Sequence, residues 1–306
     1  MSPNHTLTPV HGSPLMRGYR TRMGTERSAA ERAAENYYDN VDADRFHEAI
    51  WGEDEVHIGL YGRNPAAIDI ADACHRATVA MADRLLSLDA TGRILDLGAG
   101  YGGAARYLAQ RFGCKVLCVN ISEVQNERNR RRNRGMSLHD SIDVLHGSSL
   151  DIPAEEASVD VVWAQDVFVY ASGREHLVAE IDRVLKPGGQ VLFTDPMQAD
   201  MLAPETLAPL CERFKFEAMA SPLWYRREFA RKGFEQLEWC ELTPELLQHY
   251  TAVRSALRQR YERLSQRIST AFMDRMLVNL DNWVSAAHAG YLRWGIFHFR
   301  KPLRAS

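Results

Sequence analysis

Residues 93–107 constrain the fold of this chain more than any other stretch. The apolar residues Ile94, Leu95 and Leu97 are followed at once by glycines at positions 98, 100, 102 and 103. Such a short apolar run is typical of a buried parallel strand, and the residues from 104 onward favour a helix. Strand, glycine turn and helix form the first half of a nucleotide-binding βαβ unit, whose helix N-terminus offers free N–H groups to a ligand.

The glycines fit the spacing G-x-G-x-x-G at Gly98, Gly100 and Gly103. We expect glycine here because a Cβ atom would keep a bound ligand away from the backbone. Binding sites for NAD and for S-adenosylmethionine (SAM) share this spacing, and Asp96 separates the two. A carboxylate attracts the ammonium and sulfonium groups of SAM and repels a pyrophosphate. The stretch therefore predicts SAM as the cofactor.

Composition and charge argue against several classes of function. The chain has 306 residues, of which 45% are hydrophobic and 25% charged, as in an ordinary soluble protein. A net charge of −3 argues against a nucleic-acid-binding protein, and no apolar run approaches the length that spans a membrane. The five cysteines show no C-x-x-C spacing, which favours buried thiols in a reducing cytoplasm over disulfides or a zinc site. No cluster of metal ligands is visible, so we expect no metal.

The chain divides into four predicted parts. Residues 1–27 are expected to be a disordered tail. A transit peptide is the weaker alternative, because the acid-free residues 1–25 have no clear amphipathic period. Residues 28–85 are predicted to form a helical cap rich in aromatics, and 86–200 the SAM-binding core. Residues 201–306 should add substrate-cap helices and the last two strands of the same domain.

Apolar runs and turn signals predict an α/β fold. We expect a Rossmann-like, seven-stranded, mostly parallel sheet with helices on both faces, a helical N-terminal cap, and a helical insertion before the last strand. The insertion is predicted over 245–288, as two helices, and an earlier helix over 68–88. The predicted strands are 94–97, 115–120, 142–146, 158–164, 190–194, 234–242 and 291–300.

Polar side chains follow the ends of two predicted strands. Asn120 ends the second strand about twenty residues after the glycines, where this fold places a ribose-binding side chain. Gln165 and Asp166 lie just beyond the fourth strand, at the edge where open α/β sheets bind ligands. The arginines between 128 and 134 lack interleaved aromatics, so we interpret them as a solvated helix face rather than a nucleic-acid site.

Three motifs in order resemble the class I SAM-dependent methyltransferases. They are Asp-Leu-Gly-Ala-Gly-Tyr-Gly-Gly at 96–103, the segment 147–153, and Val-Leu-Lys-Pro-Gly-Gly at 184–189. Further segments resemble the sarcosine/dimethylglycine N-methyltransferases, namely Tyr37-Tyr38-Asp39, Ile50-Trp51-Gly52, 57–61, 120–126, Gln165-Asp166, 194–197 and 294–301. Members of that family make glycine betaine from partly methylated glycines.

The resemblance implies how the cofactor is held. The implied cofactor-binding residues are Asp96, Gly98, Gly100, Asn120, Gln125, Ser149, Leu150 and Gln165. The aspartate and the glycines would hold the methionine part of SAM. Asn120 and Gln125 would bind the ribose. Ser149 and Leu150 would border the adenine, and Gln165 would lie beside the methyl group.

Gln165, Asp166 and Tyr170 are the expected catalytic residues. Positive charge builds up on the acceptor nitrogen during an in-line methyl transfer, and aromatic faces stabilise that charge. The residues expected to bind the acceptor are Trp51, His57, Tyr61, Met197, Trp224 and Arg226. Arg226 is predicted to bind a carboxylate of the acceptor, because a guanidinium binds a carboxylate at two points. The expected partner is a small-molecule amine, with no nucleic acid or membrane, and the protein a monomer or homodimer.

Other functions stay open at this point. The acceptor could be another small amine, such as a phosphoethanolamine-like compound, or a carbon nucleophile. The chain could also be a non-catalytic SAM-binding partner subunit, although the intact Asp96, Asn120 and Asp166 speak against this. An NAD oxidoreductase is disfavoured by Asp96 and by the turn at 186–189.

Overall fold

The computed structural model describes residues 27–52, 54–212 and 218–303. The predicted tail, residues 1–27, lies outside the described residues except for its last residue. The alternative targeting segment, residues 1–25, lies outside them entirely. Nothing in the structure therefore tests either prediction.

A seven-stranded sheet forms the centre of the molecule. Its strands are β1 (Arg93–Leu97), β2 (Lys115–Asn120), β3 (Ile142–His146), β4 (Val159–Gln165), β5 (Leu185–Thr194), β7 (Glu235–Glu241) and β9 (Gly295–Arg300). They lie in the order β3-β2-β1-β4-β5-β9-β7, and β9 runs antiparallel to both of its neighbours. Two short strands, β6 (Met197–Gln198) and β8 (Leu292–Arg293), pair separately. The predicted mostly parallel sheet is confirmed.

Ten helices accompany the sheet in the described part of the chain. They are α1 (Ala29–Tyr38), α2 (Val41–Trp51), α3 (Ile70–Ala82), α4 (Gly103–Phe112), α5 (Glu123–Gly135), α6 (Arg174–Val184), α7 (Ala208–Cys211), α8 (Pro222–Arg231), α9 (Thr243–Leu264) and α10 (Thr270–His288). Helix α1 begins with a reciprocal capping box. The Ser28 backbone N–H donates to Glu31 Oε2 over 2.7 Å, and the Glu31 N–H donates to Ser28 Oγ over 3.1 Å.

Side chains of the strands alternate between two apolar cores, one on each face of the sheet. Ile94, Val161 and Trp163 pack in one core with Ala105 and Leu108 of α4. The residues that alternate with them along the strands belong to the other core, together with residues of α6 and α8. Because helices cover both faces of the sheet, the sequences of its central strands are nearly continuous apolar runs.

The N-terminal helices and the insertion before β9 pack into a single cap. Phe46 of α2 shares an apolar cluster with Val253 and Leu257 of α9 and with Met273 and Leu280 of α10. Each of these helices has an apolar face that would be exposed to water if the helix stood alone. Burying these faces against one another stabilises the cap. The cap stands over the carboxyl ends of the parallel strands.

Ion pairs join this cap to α5. Arg128 pairs with Asp44 and with Glu48, and Arg132 pairs with Asp54. The interpretation of this arginine-rich helix as a merely solvated face is therefore incomplete, because two of its arginines bind carboxylates of the cap.

Several boundaries differ from the sequence prediction. Residues 291–300, predicted as one strand, form the two strands β8 and β9. Helix α3 ends at Ala82 rather than near residue 88. Strand β5 begins at Leu185, before the Lys-Pro-Gly-Gly segment that we expected to be a turn. Its pairing with β4 shifts register between Val159 and Val161, so the extra residues are taken up as an irregularity of the ladder.

All five cysteines are free thiols, and four of them are buried. Among the described residues, no helix combines the length and the apolar character that crossing a bilayer requires.

Candidate functional site

A cleft of about 1020 Å³ lies at the carboxyl ends of β1, β2 and β4. Every residue implied for the cofactor lines it, and so do all three expected catalytic residues. These lining residues are Asp96, Gly98, Gly100, Asn120, Gln125, Ser149, Leu150, Gln165, Asp166 and Tyr170. The parallel topology brings them together because each follows, or ends, a strand on the same edge of the sheet.

The glycines of the first turn serve different purposes. A Cβ on Gly98 would lie 2.3 Å from Val167 Cγ2, and one on Gly102 would lie 2.1 Å from Asn129 Oδ1. A Cβ on Gly100 would meet open space, its nearest neighbour being the Gly98 carbonyl oxygen at 3.9 Å. Only Gly100 therefore fits the prediction that glycine makes room for a ligand. Gly98 and Gly102 are required by close packing and by their φ angles of +68° and +80°.

Two buried carboxylates in the cleft each have an oxygen with no hydrogen-bond partner among the described residues. These oxygens are Asp96 Oδ2 and Glu55 Oε1, and the side chains are only 3% and 7% exposed. Burial, together with the charge of Glu55, raises the pKa of Asp96 from 3.8 to about 8. A ligand that brings positive charge and N–H donors could satisfy both oxygens, and the α-ammonium of SAM is a group of this kind.

Asn120 and Gln125 line the cleft and are hydrogen-bonded to each other. The side-chain amide nitrogen of Asn120 donates to Gln125 Oε1 over 3.0 Å and to the Ser122 carbonyl over 3.4 Å. The nitrogen is thus used inside the protein, and the Asn120 side-chain oxygen is the group that can accept a ribose hydroxyl. Ser122 also caps α5, since its hydroxyl accepts the Gln125 N–H over 3.2 Å.

Helix α1 covers the end of the cleft beside the loop that follows β3. Ser148 Oγ donates to the carboxylate of Glu31 and accepts the Leu150 N–H over 2.9 Å. Ser149 and Leu150 line the cleft here, and Glu31 lines it from the helix. The loop after β3 and the cap thus close this end together.

A second cavity of about 760 Å³ adjoins the cleft and is lined mostly by aromatic side chains. The two cavities share Tyr38, Val56, His57, Asp166 and Tyr170. The other rings of the second cavity are Tyr37, His47, Trp51, His249, Tyr250 and Trp283. Of the residues expected to bind the acceptor, Trp51 and His57 line this second cavity. We call this space the aromatic cavity.

A polar network lies where the two cavities meet. Gln165 Nε2 lies 3.0 Å from His57 Nε2, and Gln165 Oε1 accepts the Trp163 indole N–H over 2.9 Å. The Tyr38 hydroxyl donates to the Tyr170 hydroxyl over 3.2 Å. These bonds connect the sheet to the cap at the junction.

Asp166 holds the cap to the core at the same junction. Its Oδ2 accepts the Ile58 backbone N–H over 2.7 Å, and its Oδ1 accepts the Trp294 indole N–H over 2.7 Å. Its backbone is in the left-handed region, with φ +58°. Burial raises the pKa of Asp166, while the charge of His57 and the Ile58 N–H oppose the rise.

Four of the predicted acceptor-binding residues line neither cavity. Tyr61 lies behind His249, to whose Nδ1 its hydroxyl is hydrogen-bonded over 3.0 Å. Met197 is fully buried in the core beneath the sheet edge, and the half-buried Trp224 packs against that same core. Arg226 is exposed, and its Nε donates to Gln236 Oε1 over 3.0 Å. We therefore do not retain these four as residues that touch the acceptor.

Tyr38, Glu55 and His249 are among the cavity-lining residues that the sequence analysis missed. Tyr38 could have been found, because it belongs to the Tyr37-Tyr38-Asp39 segment on which the family resemblance rests. Glu55 and His249 carry no such signal. They reach the site only through the packing of the cap.

Comparisons with known proteins agree with this geometry. The family described as "Methyltransferase domain" matches residues 95–193. The sarcosine/dimethylglycine N-methyltransferase of Halorhodospira halochloris is 41% identical over 272 residues, covering 89% of this chain and 97% of that protein. The enzyme of the same name from Aphanothece halophytica is 41% identical over 278 residues, covering 91% of this chain and 100% of that protein.

A solved structure shows the same fold. It is a proposed sarcosine dimethylglycine methyltransferase from Galdieria sulphuraria, with a TM-score of 0.83 and 36% identity, covering 88% of this chain and 100% of that one. Its likeness extends over the cap as well as the sheet. Together with the cleft and its two unsatisfied carboxylate oxygens, these matches show that the chain is a SAM-dependent methyltransferase and belongs to the sarcosine/dimethylglycine N-methyltransferase family.

Proposed function

We propose that this enzyme methylates the amine nitrogen of sarcosine and dimethylglycine, and so produces glycine betaine. The observation that carries the proposal is the aromatic cavity that opens onto the cofactor cleft at Asp166 and Tyr170. The identity of 41% to relatives with this activity in their names supports the same acceptors.

The chemistry sets three demands on the protein. The reaction moves the methyl group from the sulfonium of SAM to a neutral amine nitrogen, so the sulfonium becomes a thioether and the nitrogen gains the positive charge. The site must therefore align the amine, keep water out, and stabilise a cation that forms on nitrogen. No proton has to be removed from dimethylglycine once its nitrogen is neutral.

The aromatic cavity meets the last demand. Tyr38 and Tyr170 stand edge to face, with ring centroids 6.1 Å apart, at the junction with the cofactor cleft. Trp51 lies deeper, with its ring centroid 5.6 Å from that of His249. Ring faces attract a methylated ammonium by cation–π interaction, and more strongly when water is excluded. Gln165, Asp166 and Tyr170 are accordingly proposed to lie beside the reacting nitrogen.

The carboxylate of the acceptor needs a donor now that Arg226 lies elsewhere. His249 Nδ1 accepts the Gly59 backbone N–H over 3.2 Å, so the neutral ring carries its proton on Nε2. Burial, and secondly the charge of His57, lowers the pKa of His249 to about 3, which keeps the ring neutral. His249 lines the aromatic cavity, and its Nε2–H is proposed as the donor to the acceptor carboxylate.

Replacing His249 by asparagine tests this role. The asparagine oxygen stands near the position of Nδ1 and keeps an acceptor for the Gly59 N–H, whereas the Nε2–H donor is lost. We expect the KM for dimethylglycine to rise about tenfold, as for a lost hydrogen bond to a charged group, with the Kd for SAM unchanged. Arg226→Ala is the matched control and should leave both values as in the wild type. A KM that rises only in the Arg226 variant would restore the sequence-based assignment.

The charge of the cavities weighs against phosphate-bearing acceptors. No lysine or arginine lines either cavity within the part of the chain that the structure describes. A phosphoryl or diphosphate group needs several cations, whereas a single carboxylate can be bound by neutral donors.

The free thiols of the chain also fit a reducing compartment, and we propose a cytoplasmic enzyme acting as a monomer or homodimer.

An acceptor panel decides the proposal. The purified enzyme is incubated with SAM and, separately, glycine, sarcosine, dimethylglycine, phosphoethanolamine and geranyl diphosphate, and products are followed by mass spectrometry. We expect sarcosine and dimethylglycine to be consumed, with one S-adenosylhomocysteine formed for each methyl transferred. Consumption of only a phosphate-bearing compound would refute the acceptor class. Binding of SAM with no turnover of any acceptor would favour a non-catalytic partner subunit.

A further inference from the structure

We infer that Glu55, a residue of the cap, binds the α-ammonium group of SAM together with Asp96. The inference concerns the cofactor alone and does not depend on which acceptor is methylated.

The two carboxylates reach the glycine turn from different parts of the chain. Asp96 lies near the end of β1, directly before the turn. Glu55 belongs to the loop after α2 and packs on the first residue of α4, because a Cβ on Gly103 would lie 2.5 Å from Glu55 Cγ. The Gly103 N–H donates to the Asp54 carbonyl over 3.1 Å, which fixes this loop against the start of the helix. Both carboxylates line the cofactor cleft.

Each carboxylate has an oxygen that the described residues leave unsatisfied. Asp96 Oδ2 and Glu55 Oε1 are buried and have no hydrogen-bond partner there. The other oxygen of Glu55 lies 3.7 Å from His75 Nδ1. Arg106 on α4 is already paired with Asp54, at 2.6 Å. An ammonium group has three N–H donors on one positive charge, so it can satisfy both free oxygens at once.

The charges around the two carboxylates favour a cationic ligand. Burial and the charge of Glu55 raise the pKa of Asp96 to about 8. The titratable groups facing the pair are His75 and Cys74 of α3 and Cys118 of β2. Burial raises the pKa of both thiols, so they stay neutral, whereas contact with Glu55 raises the pKa of His75. An ammonium group between the two carboxylates would therefore offset the cost of holding them together in a buried space.

Calorimetric titration of Glu55→Gln with three compounds tests the inference. SAM and S-adenosylhomocysteine both carry the α-ammonium, whereas 5′-methylthioadenosine lacks the amino-acid part. We expect the affinity of the variant for SAM and for S-adenosylhomocysteine to fall equally, by about 10- to 100-fold. Binding of 5′-methylthioadenosine should stay within about twofold of the wild type, which also shows that the variant is folded.

Glu48→Gln is the matched control, because Glu48 is a half-buried carboxylate of the same cap that pairs with Arg128 and lines neither cavity. It should bind all three compounds as the wild type does. Unchanged SAM affinity in the Glu55 variant would overturn the inference, and so would an equal loss for 5′-methylthioadenosine, which would mean that Glu55 only shapes the cleft. A loss for SAM without a loss for S-adenosylhomocysteine would place the carboxylate at the sulfonium instead.

Discussion

Replacing Asp96 by asparagine is expected to weaken SAM binding by more than about 30-fold, the effect typical of removing one partner of a buried charge pair. The asparagine has the same shape as the protonated carboxyl that the ligand-free protein holds, so the fold should persist. The loss should exceed that of Glu55→Gln, because Asp96 is more deeply buried, at 3% exposure against 7%. Calorimetry with SAM measures the change.

The same substitution should change how stability depends on pH. In the ligand-free protein Asp96 has a pKa of about 8, against an ordinary value of 3.8 for an unfolded chain. Between these values the unfolded carboxyl ionises while the folded one keeps its proton, so the unfolded state binds fewer protons. The free energy of unfolding therefore falls as pH rises from about 4 to about 8, and Asp96→Asn should remove this contribution.

Thermal melts of the ligand-free protein across this range check the sign. The melting temperature of the variant should gain on that of the wild type as pH rises. Wild-type SAM affinity in Asp96→Asn, or identical pH profiles of the two proteins, would contradict the placement of a buried carboxyl in the cofactor cleft.

Replacing Asp166 by alanine is expected to lower kcat/KM by roughly 100-fold or more. The substitution leaves the Ile58 N–H and the Trp294 indole N–H without their acceptor, at about 1–3 kcal/mol for each buried donor. The loop that carries Glu55 and His57 would then lose its attachment at the junction of the two cavities. Steady-state kinetics with the acceptor at saturating SAM measures the effect.

Asp166→Asn is the matched control for this prediction. Asparagine keeps one acceptor oxygen, and it tolerates the left-handed backbone of this position, where φ is +58°, better than alanine does. We expect the order of activity to be wild type, asparagine, alanine. An alanine variant within about threefold of the wild type would show that Asp166 does not hold the junction.

The cofactor site could be predicted because its residues end strands that the apolar runs already revealed. Asp96, Asn120 and Gln165 each end a parallel strand or stand one residue before its end, and parallel strands in one sheet present their carboxyl ends at one edge. The order of the motifs along the chain thus suffices to bring these residues together. Glycine spacing was less informative, since Gly98 and Gly102 are required by the packing of Val167 and Asn129 rather than by a ligand.

The acceptor site could not be predicted in the same way. Tyr225 and Phe229, four residues apart, turn one face of α8 to the sheet, and Arg226 is rotated about 100° from Tyr225 around the helix axis. The periodicity of apolar residues shows which face of a helix is buried, but it does not show which helices border a cavity. Glu55 reaches the cleft and His249 reaches the aromatic cavity only because α2 and α9 pack on each other, and such contacts depend on side-chain fit across long separations in sequence.

The central claim is that the methyl group is transferred where the cofactor cleft meets the aromatic cavity. A crystal structure of the enzyme with S-adenosylhomocysteine and dimethylglycine tests it most directly. We predict the homocysteine part between Asp96 and Glu55, the amine nitrogen beside Tyr170 and Asp166 and facing the sulfur, and the carboxylate at His249. An amine bound outside the aromatic cavity, or a homocysteine part away from both carboxylates, would contradict the account.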